Sequence, residues 1–223
     1  SSSEPNLQNI PIRTPEGVKI REAFVASEGR KILAMDYSQI ELRLMAHYSK
    51  DQIMLDSFKN NEDIHKRTAS EVFSVEMENV TDEMRRRAKT INFGLLYGMS
   101  AFGLSNQLSV SRAEAEEFLL NYFTKYSSIK VFMKDVVEQA KKDKYVSTLY
   151  GRKIHVPNIE SPNYMLRQAS ERAAVNGPLQ GSAADIIKRA MINIFKESGK
   201  NEKDIKMILQ VHDELVFEVP EDY

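Results

Sequence analysis

The chain has 223 residues, 42% hydrophobic and 28% charged, with 31 lysines and arginines against 32 acids and a net charge of -1. That length and mixture suit one large globular domain, or a domain plus a subdomain, with a sizeable core. They exclude a global positive field, so binding nucleic acid by charge requires local clusters; the lack of cysteine excludes disulfides and thiolate zinc sites, and no apolar run approaches the roughly 20 residues of a membrane span.

Residues 1–17 are rich in Ser, Pro, Asn and Gly and read as an extended entry segment. Residues 18–27 and 31–35 predict strands, separated by a turn at Glu28-Gly29. From Gln39 the pattern turns helical, with Ile40, Leu42, Leu44 and Met45 starting one helix, 53–58 forming a short second, and Asp63-Ile64-His65 opening a third. Thr81-Asp82-Glu83 is a helix start, a cap followed by acids that suit the positive end of the dipole. That helix runs to about Tyr97. Ser111 caps another, and a further helix covers about 127–142. Tyr150-Gly151-Arg152, between two apolar stretches, signals a hairpin. A long helical region, about 164–197, is expected to kink or split at Gly177-Pro178, where proline removes a backbone hydrogen bond. Apolar runs flanking His212-Asp213-Glu214 predict a closing hairpin with a tight turn. Strands at the two ends can share one sheet, with the helices inserted between them.

Three constellations carry possible chemistry. The first is acidic. Asp213 and Glu214 sit at the tip of the last hairpin, and Asp36 ends an apolar strand just before a helix. The doublet reads either as a solvated turn or as a cation site, and Asp36 either as a metal ligand or as a helix cap. If the terminal strands share a sheet, Asp36 and Asp213 converge, and two such carboxylates repel unless a divalent cation lies between them. The second constellation is a stripe, Arg85, Lys89, Phe93 and Tyr97, recurring every four residues on one helix face. Its basic end suits phosphates, and its aromatic end, about 18 Å away, suits a sugar or base. A solvated basic face with Phe93 in the core is the alternative. The third is Arg172, Asn176 and Gln180, also four apart, whose donors suit phosphates or base edges. The four histidines are scattered, without metal-ligand spacing.

Together these segments resemble family A DNA polymerases, of the bacterial DNA polymerase I type. Asp36-Tyr37-Ser38-Gln39-Ile40-Glu41-Leu42-Arg43 is similar to the family's first palm motif. The stretch from Arg85 to Gly98, ending Lys89-Thr90-Ile91-Asn92-Phe93-Gly94-Leu95-Leu96-Tyr97-Gly98, resembles the fingers-helix motif, and Gln210-Val211-His212-Asp213-Glu214-Leu215 the last palm motif. Ser1 to Arg13 and Gln180 to Ala190 also look like the family.

The resemblance implies an α+β, right-handed polymerase fold: an antiparallel palm sheet with an inserted helical fingers subdomain. Residues 1–48 and 161–223 would form the palm and 49–160 the fingers. It implies templated DNA synthesis from deoxynucleoside triphosphates on a primer–template, in replication or repair. Asp36, Asp213 and the backbone carbonyl of Tyr37 would hold two magnesium ions, with manganese a possible substitute, and Glu214 would support them. Arg85, Lys89 and His65 would bind the triphosphate, with Lys89 the candidate proton donor to pyrophosphate. Phe93 would stack on the incoming nucleotide, Tyr97 would border the templating position, and Glu41, beside Gln39, would crowd a 2′-hydroxyl. Arg172, Asn176, Gln180 and His212 would line the duplex.

The resemblance further implies a monomer without membrane contact, inside the cell, in bacteria the nucleoid-containing cytoplasm. The chain starts without methionine and stops just past the hairpin, as an excerpt of a longer protein would. On that reading the thumb, any exonuclease domain and the remaining palm would lie outside it. Competing readings are a non-catalytic DNA-binding fragment, a related single-subunit RNA polymerase, disfavoured by Glu41 and the His212-Asp213-Glu214 sequence, and a metal nuclease, for which no water-activating group is evident.

Overall fold

The computed structural model describes residues 6, 10–12, 14–198 and 205–222. Within them the chain forms two compact units, one of Ser1–Ser38 with Ile186–Tyr223 and one of Gln39–Asp185. The fold is α+β.

The first unit is built on a three-stranded antiparallel sheet. Its strands are β1 (Arg30–Asp36), β4 (Lys206–Val211) and β5 (Glu214–Pro220), in the order β1-β5-β4. Strands from opposite ends of the chain thus share a sheet, as expected. Alternation decides which face is inside: Leu215, Phe217 and Val219 are buried while their β5 neighbours are only partly so. Ile187, Leu33, Met191 and Ile194 pack on that face. Each fully buried large side chain of this set contributes about 1.5–3 kcal/mol by leaving water. The loop before β1 is tied to the sheet by Glu218, whose Oε1 accepts from the backbone N–H and the hydroxyl of Ser27 at 2.7 and 2.8 Å.

Two expectations fail here. Residues 18–27 are not a strand. Pro15–Glu22 form helix α1, and all its start signals are present: Thr14 accepts from the Gly17 N–H at 3.1 Å, proline occupies the first turn, and Glu16 precedes Lys19 and Arg21. The alternation of Val18 and Ile20 imitated a strand, but both are exposed. The segment 1–17, expected to be extended, is thus helical from Pro15 on, and most of the family-like stretch 1–13 lies outside the described residues.

The second unit is mainly helical. It holds α2 (Ile40–Ser49), α3 (Gln52–Lys59), α4 (Ile64–Phe73), α5 (Asp82–Leu96), α6 (Ala101–Leu108), α7 (Arg112–Lys125) and α8 (Ser127–Asp143). A small hairpin follows, β2 (Tyr145–Ser147) with β3 (Lys153–His155). Side-chain caps set the starts: Asp51, Asp63, Thr81, Ser100 and Ser111 each accept from the first turn of the helix that follows. Helix α6 was not anticipated, although Ser100 is an ordinary cap for it. Helix α4 packs on α5 and α7, with Ile64, Ile91, Tyr122 and Tyr126 fully or almost fully buried.

The last helix, α9 (Tyr164–Ser198), supplies 164–185 to the helical unit and 186–198 to the sheet unit. It runs through Pro178 without interruption, so the expected split does not occur. The reason is packing. A Cβ on Gly177 would lie 2.8 Å from Val146 Cγ2, and one on Gly181 2.6 Å from Thr148 Cγ2. The β2–β3 hairpin thus presses on α9 on both sides of the proline. Its core of Val146, Val156, Ile159 and Ala174 holds the helix together where local propensity opposes it.

Candidate active site

In the sheet unit, strand order brings the acids together. Asp36 is the last residue of β1 and pairs with Glu214, the first residue of β5. Asp213 precedes Glu214 in the two-residue turn, and the Tyr37 N–H donates to its carbonyl at 3.1 Å. His212, exposed at the turn, has φ 53°, a left-handed conformation that costs a non-glycine residue about 1 kcal/mol. The Asp36 and Asp213 carboxyls come within hydrogen-bonding reach of each other. The Asp36 pKa is raised, first by partial desolvation of its carboxyl and then by the negative charges of Asp213 and Glu214. Asp36 is exposed as a whole.

Among the described residues no three His, Asp or Glu side chains form a ready metal cluster. The donor set is instead a pair of mutually repelling carboxylates with flanking backbone oxygen. Hard oxygen donors of this kind fit a hard divalent cation, which would relieve the repulsion.

In the helical unit, α5 is amphipathic along its stripe. Ala88, Ile91, Asn92 and Leu95 are buried, whereas Lys89 and Tyr97 are exposed and Arg85 and Phe93 half-buried. Arg85 Nε donates to Asp63 Oδ2 at 2.7 Å. The other Asp63 oxygen accepts from the His65 and Lys66 N–H groups at 2.9 and 3.0 Å. Burial works to raise the Asp63 pKa, but these bonds and the Arg85 charge outweigh it and hold it below the ordinary value. This partner of Arg85 went unrecognised in the sequence, where Asp63 signalled only a helix start.

His65 is only 2% exposed. Its Nδ1 lies 3.1 Å from Asn92 Nδ2, and its ring centroid 5.8 Å from that of Phe93. Burial pulls its pKa down to about 4; Asp63 opposes this and Lys89 and Arg85 add to it. The imidazole is therefore neutral at pH 7.

Glu41, on the first turn of α2, accepts from the Tyr97 hydroxyl at 3.1 Å. Gln39 caps α2 in a left-handed conformation, φ 56°, without a side-chain cap bond. On α9, Arg172, Asn176 and Gln180 line a cavity of about 600 Å³ together with Tyr97, Ile154 and Gly181. Gly98, at φ 65°, lies against Arg172: a Cβ there would stand 2.6 Å from Arg172 Cγ. The structure thus gathers Asp36, Tyr37, His212, Asp213 and Glu214 in one unit. It gathers Gln39, Glu41, His65, Arg85, Lys89, Phe93, Tyr97, Arg172, Asn176 and Gln180 in the other.

A sequence model of DNA polymerase family A matches residues 1–223. The chain belongs to DNA polymerase family A. Among family relatives, DNA polymerase I of Pseudomonas aeruginosa is 55% identical, over 100% of this chain and 24% of that protein. DNA polymerase I of Bacillus subtilis is 49% identical, over 100% of this chain and 25% of that protein. The chain therefore spans about a quarter of the length of these relatives. A solved family structure, the POL domain of Pol1 from M. smegmatis in complex with DNA primer-template and dNTP, is 50% identical with a TM-score of 0.94. It covers 99% of this chain and 39% of that one. No described helix is long and apolar enough to cross a membrane.

Proposed function

We propose that this segment carries the nucleotidyl-transfer site of a template-directed DNA polymerase. It would extend a primer 3′-hydroxyl with deoxynucleoside triphosphates and release pyrophosphate. The observation that carries the reading is the convergence of Asp36 and Asp213 in a chain of this family. Residues 1–48 and 161–223 act as palm and 49–160 as fingers.

Asp36, Asp213 and the Tyr37 carbonyl would hold two magnesium ions, or manganese in their place. When bound, these lower the pKa of the primer hydroxyl and neutralise charge developing at the α-phosphate. Glu214 supports the pair. The chain's other residues bind and orient. Lys89, exposed on α5, pairs with the triphosphate and protonates the departing pyrophosphate. Arg85 exchanges Asp63 for phosphate oxygens, a like-for-like swap of one anion for another. His65 offers a neutral N–H to the same phosphates. Phe93 stacks on the incoming nucleotide and Tyr97 borders the templating base. Glu41, with Gln39 beside it, fills the space that a 2′-hydroxyl would need. Arg172, Asn176, Gln180 and His212 contact the duplex.

The primer–template and dNTP bound to the M. smegmatis domain support these partners. The bacterial relatives support a role in replication or repair inside the cell, in the nucleoid-containing cytoplasm. We take the working form to be a monomer.

The test is primer extension by the intact polymerase with magnesium. Templated incorporation of deoxynucleotides is expected. Duplex binding without extension would instead support a non-catalytic DNA-binding protein, and a preference for ribonucleotides an RNA polymerase.

A further inference from the structure

We propose that Asn92 is a positioning residue that locks His65 in its Nε2–H tautomer, the form able to offer an N–H to the triphosphate. The inference rests on the reading above that His65 touches the phosphates, and adds what aims it.

The chain of hydrogen bonds starts at Thr68. Its hydroxyl donates to the Ile64 carbonyl at 2.8 Å, one helical turn away. A hydroxyl has one proton, so that bond uses it. Every other polar atom bonded to Thr68 Oγ1 must then be a donor. The Tyr126 hydroxyl, 3.4 Å away, is one. The Asn92 amide nitrogen, 3.0 Å away, is the other. Asn92 Oδ1, at 3.2 Å, competes with the nearer Ile64 carbonyl for the one hydroxyl proton.

The same Asn92 nitrogen stands 3.1 Å from His65 Nδ1. An amide NH2 has two hydrogens, and here there are two acceptors, Thr68 Oγ1 and His65 Nδ1. Nδ1 therefore accepts and carries no proton. In a neutral imidazole the proton must then sit on Nε2. The environment enforces this. Thr68, Asn92 and Tyr126 are fully buried, so on the Nδ1 side of His65 water cannot substitute for a lost partner. The Phe93 ring limits tilting of the imidazole. The pKa of about 4 keeps the ring neutral in the working range.

The two tautomers differ in what they show a phosphate. The Nε2–H form presents a donor, and the Nδ1–H form presents a lone pair to an anion. A residue that decides between them acts on triphosphate binding without touching it.

The experiment uses the intact polymerase with 15N-labelled histidine. For His65 an imine-type Nδ1 and a protonated, pyrrole-type Nε2 are expected at neutral pH. A protonated Nδ1 in the unmodified protein overturns the assignment, whatever His65 contacts. Asn92→Asp places an acceptor at Nδ1 and should reverse the tautomer, raising the KM for dNTP roughly tenfold with kcat less affected. In a His65→Ala background Asn92→Asp should leave KM unchanged, because its effect passes through the ring. An undiminished effect there would mark Asn92 as merely structural and overturn the proposal. If Asn92→Asp does not fold, Asn92→Ala serves, with a mixture of tautomers expected and an unchanged single tautomer contradicting. An unaltered dNTP KM in His65→Ala alone, alongside an imine-type Nδ1, would instead overturn the phosphate reading on which the proposal rests.

Discussion

Asp36 and Asp213 hold their carboxyls within hydrogen-bonding reach, one at the end of β1 and the other at the tip of the β4–β5 turn. No local interaction creates this pair; the strand order β1-β5-β4 does. The arrangement opposes stability in the absence of a cation, because two like charges share one place. Relief of that repulsion is the physical reason to expect a cation there.

The first prediction follows from that repulsion. Without divalent cations, Asp36→Asn should leave the melting temperature equal or slightly higher, because a repelling charge is removed and little packing is lost. Magnesium should raise the melting temperature of the unmodified protein more than that of the variant, since binding to the folded state alone stabilises it. Calorimetry with and without magnesium checks both. A variant melting well below the parent without metal would assign the pair a structural attraction instead.

A second prediction concerns pH. His65 is neutral and buried, with its pKa at about 4 against 6.5 for the free group. Between those values the unfolded chain binds a proton that the folded chain does not. Stability from this site is therefore fully present above pH 6.5 and falls as pH drops toward 4, by about 3 kcal/mol in total. Asp63 works in the same direction but lower, because its pKa lies below the ordinary carboxylate value. Hydrogen exchange of α4 and α5 amides should accelerate through this window, and His65→Gln should flatten the dependence. Exchange independent of pH, after correction for intrinsic rates, would contradict the burial argument.

Gly98 supplies a third. Its positive φ disfavours any side chain by about 1 kcal/mol, and a Cβ would displace the Arg172 stem from 2.6 Å. Gly98→Ala should destabilise by roughly 1–2 kcal/mol and weaken primer–template binding more than an exposed alanine substitution does. Fluorescence titration at two salt concentrations checks it. Unchanged affinity would show that the position of Arg172 does not matter to the duplex.

The fourth concerns sugar selection. Glu41→Ala removes both the side chain assigned to the 2′ position and the acceptor of the Tyr97 hydroxyl. Discrimination against ribonucleotides should fall at least roughly tenfold. Tyr97→Phe removes the hydrogen bond but leaves the carboxylate, and should have the smaller effect. Competition between ATP and dATP gives the ratio directly, and equal effects of the two substitutions would assign selection to the hydrogen bond alone.

Much of this was legible because it was local. The terminal hairpin followed from apolar runs on both sides of a turn, and the start of α5 from Thr81 and its acids. The convergence of Asp36 with Asp213 was legible only conditionally, since it depends on non-local strand pairing. The failures were local signals overruled by context. Val18 and Ile20 alternate like a strand but belong to a capped helix. Pro178 marks a break, yet α9 continues through it under the pressure of the β2–β3 hairpin. The burial of His65 and its bond to Asn92 had no sequence signal, because a polar pair on two helices is visible only once α4 and α5 are packed. The ion pair of Arg85 with Asp63 was hidden for the same reason.

The most direct measurement is magnesium-dependent primer extension by the intact polymerase carrying Asp36→Asn or Asp213→Asn, each checked for an unchanged circular dichroism spectrum. Either substitution should lower the rate on the order of a thousandfold or more, with primer–template still bound. Full-rate extension by either variant would contradict it.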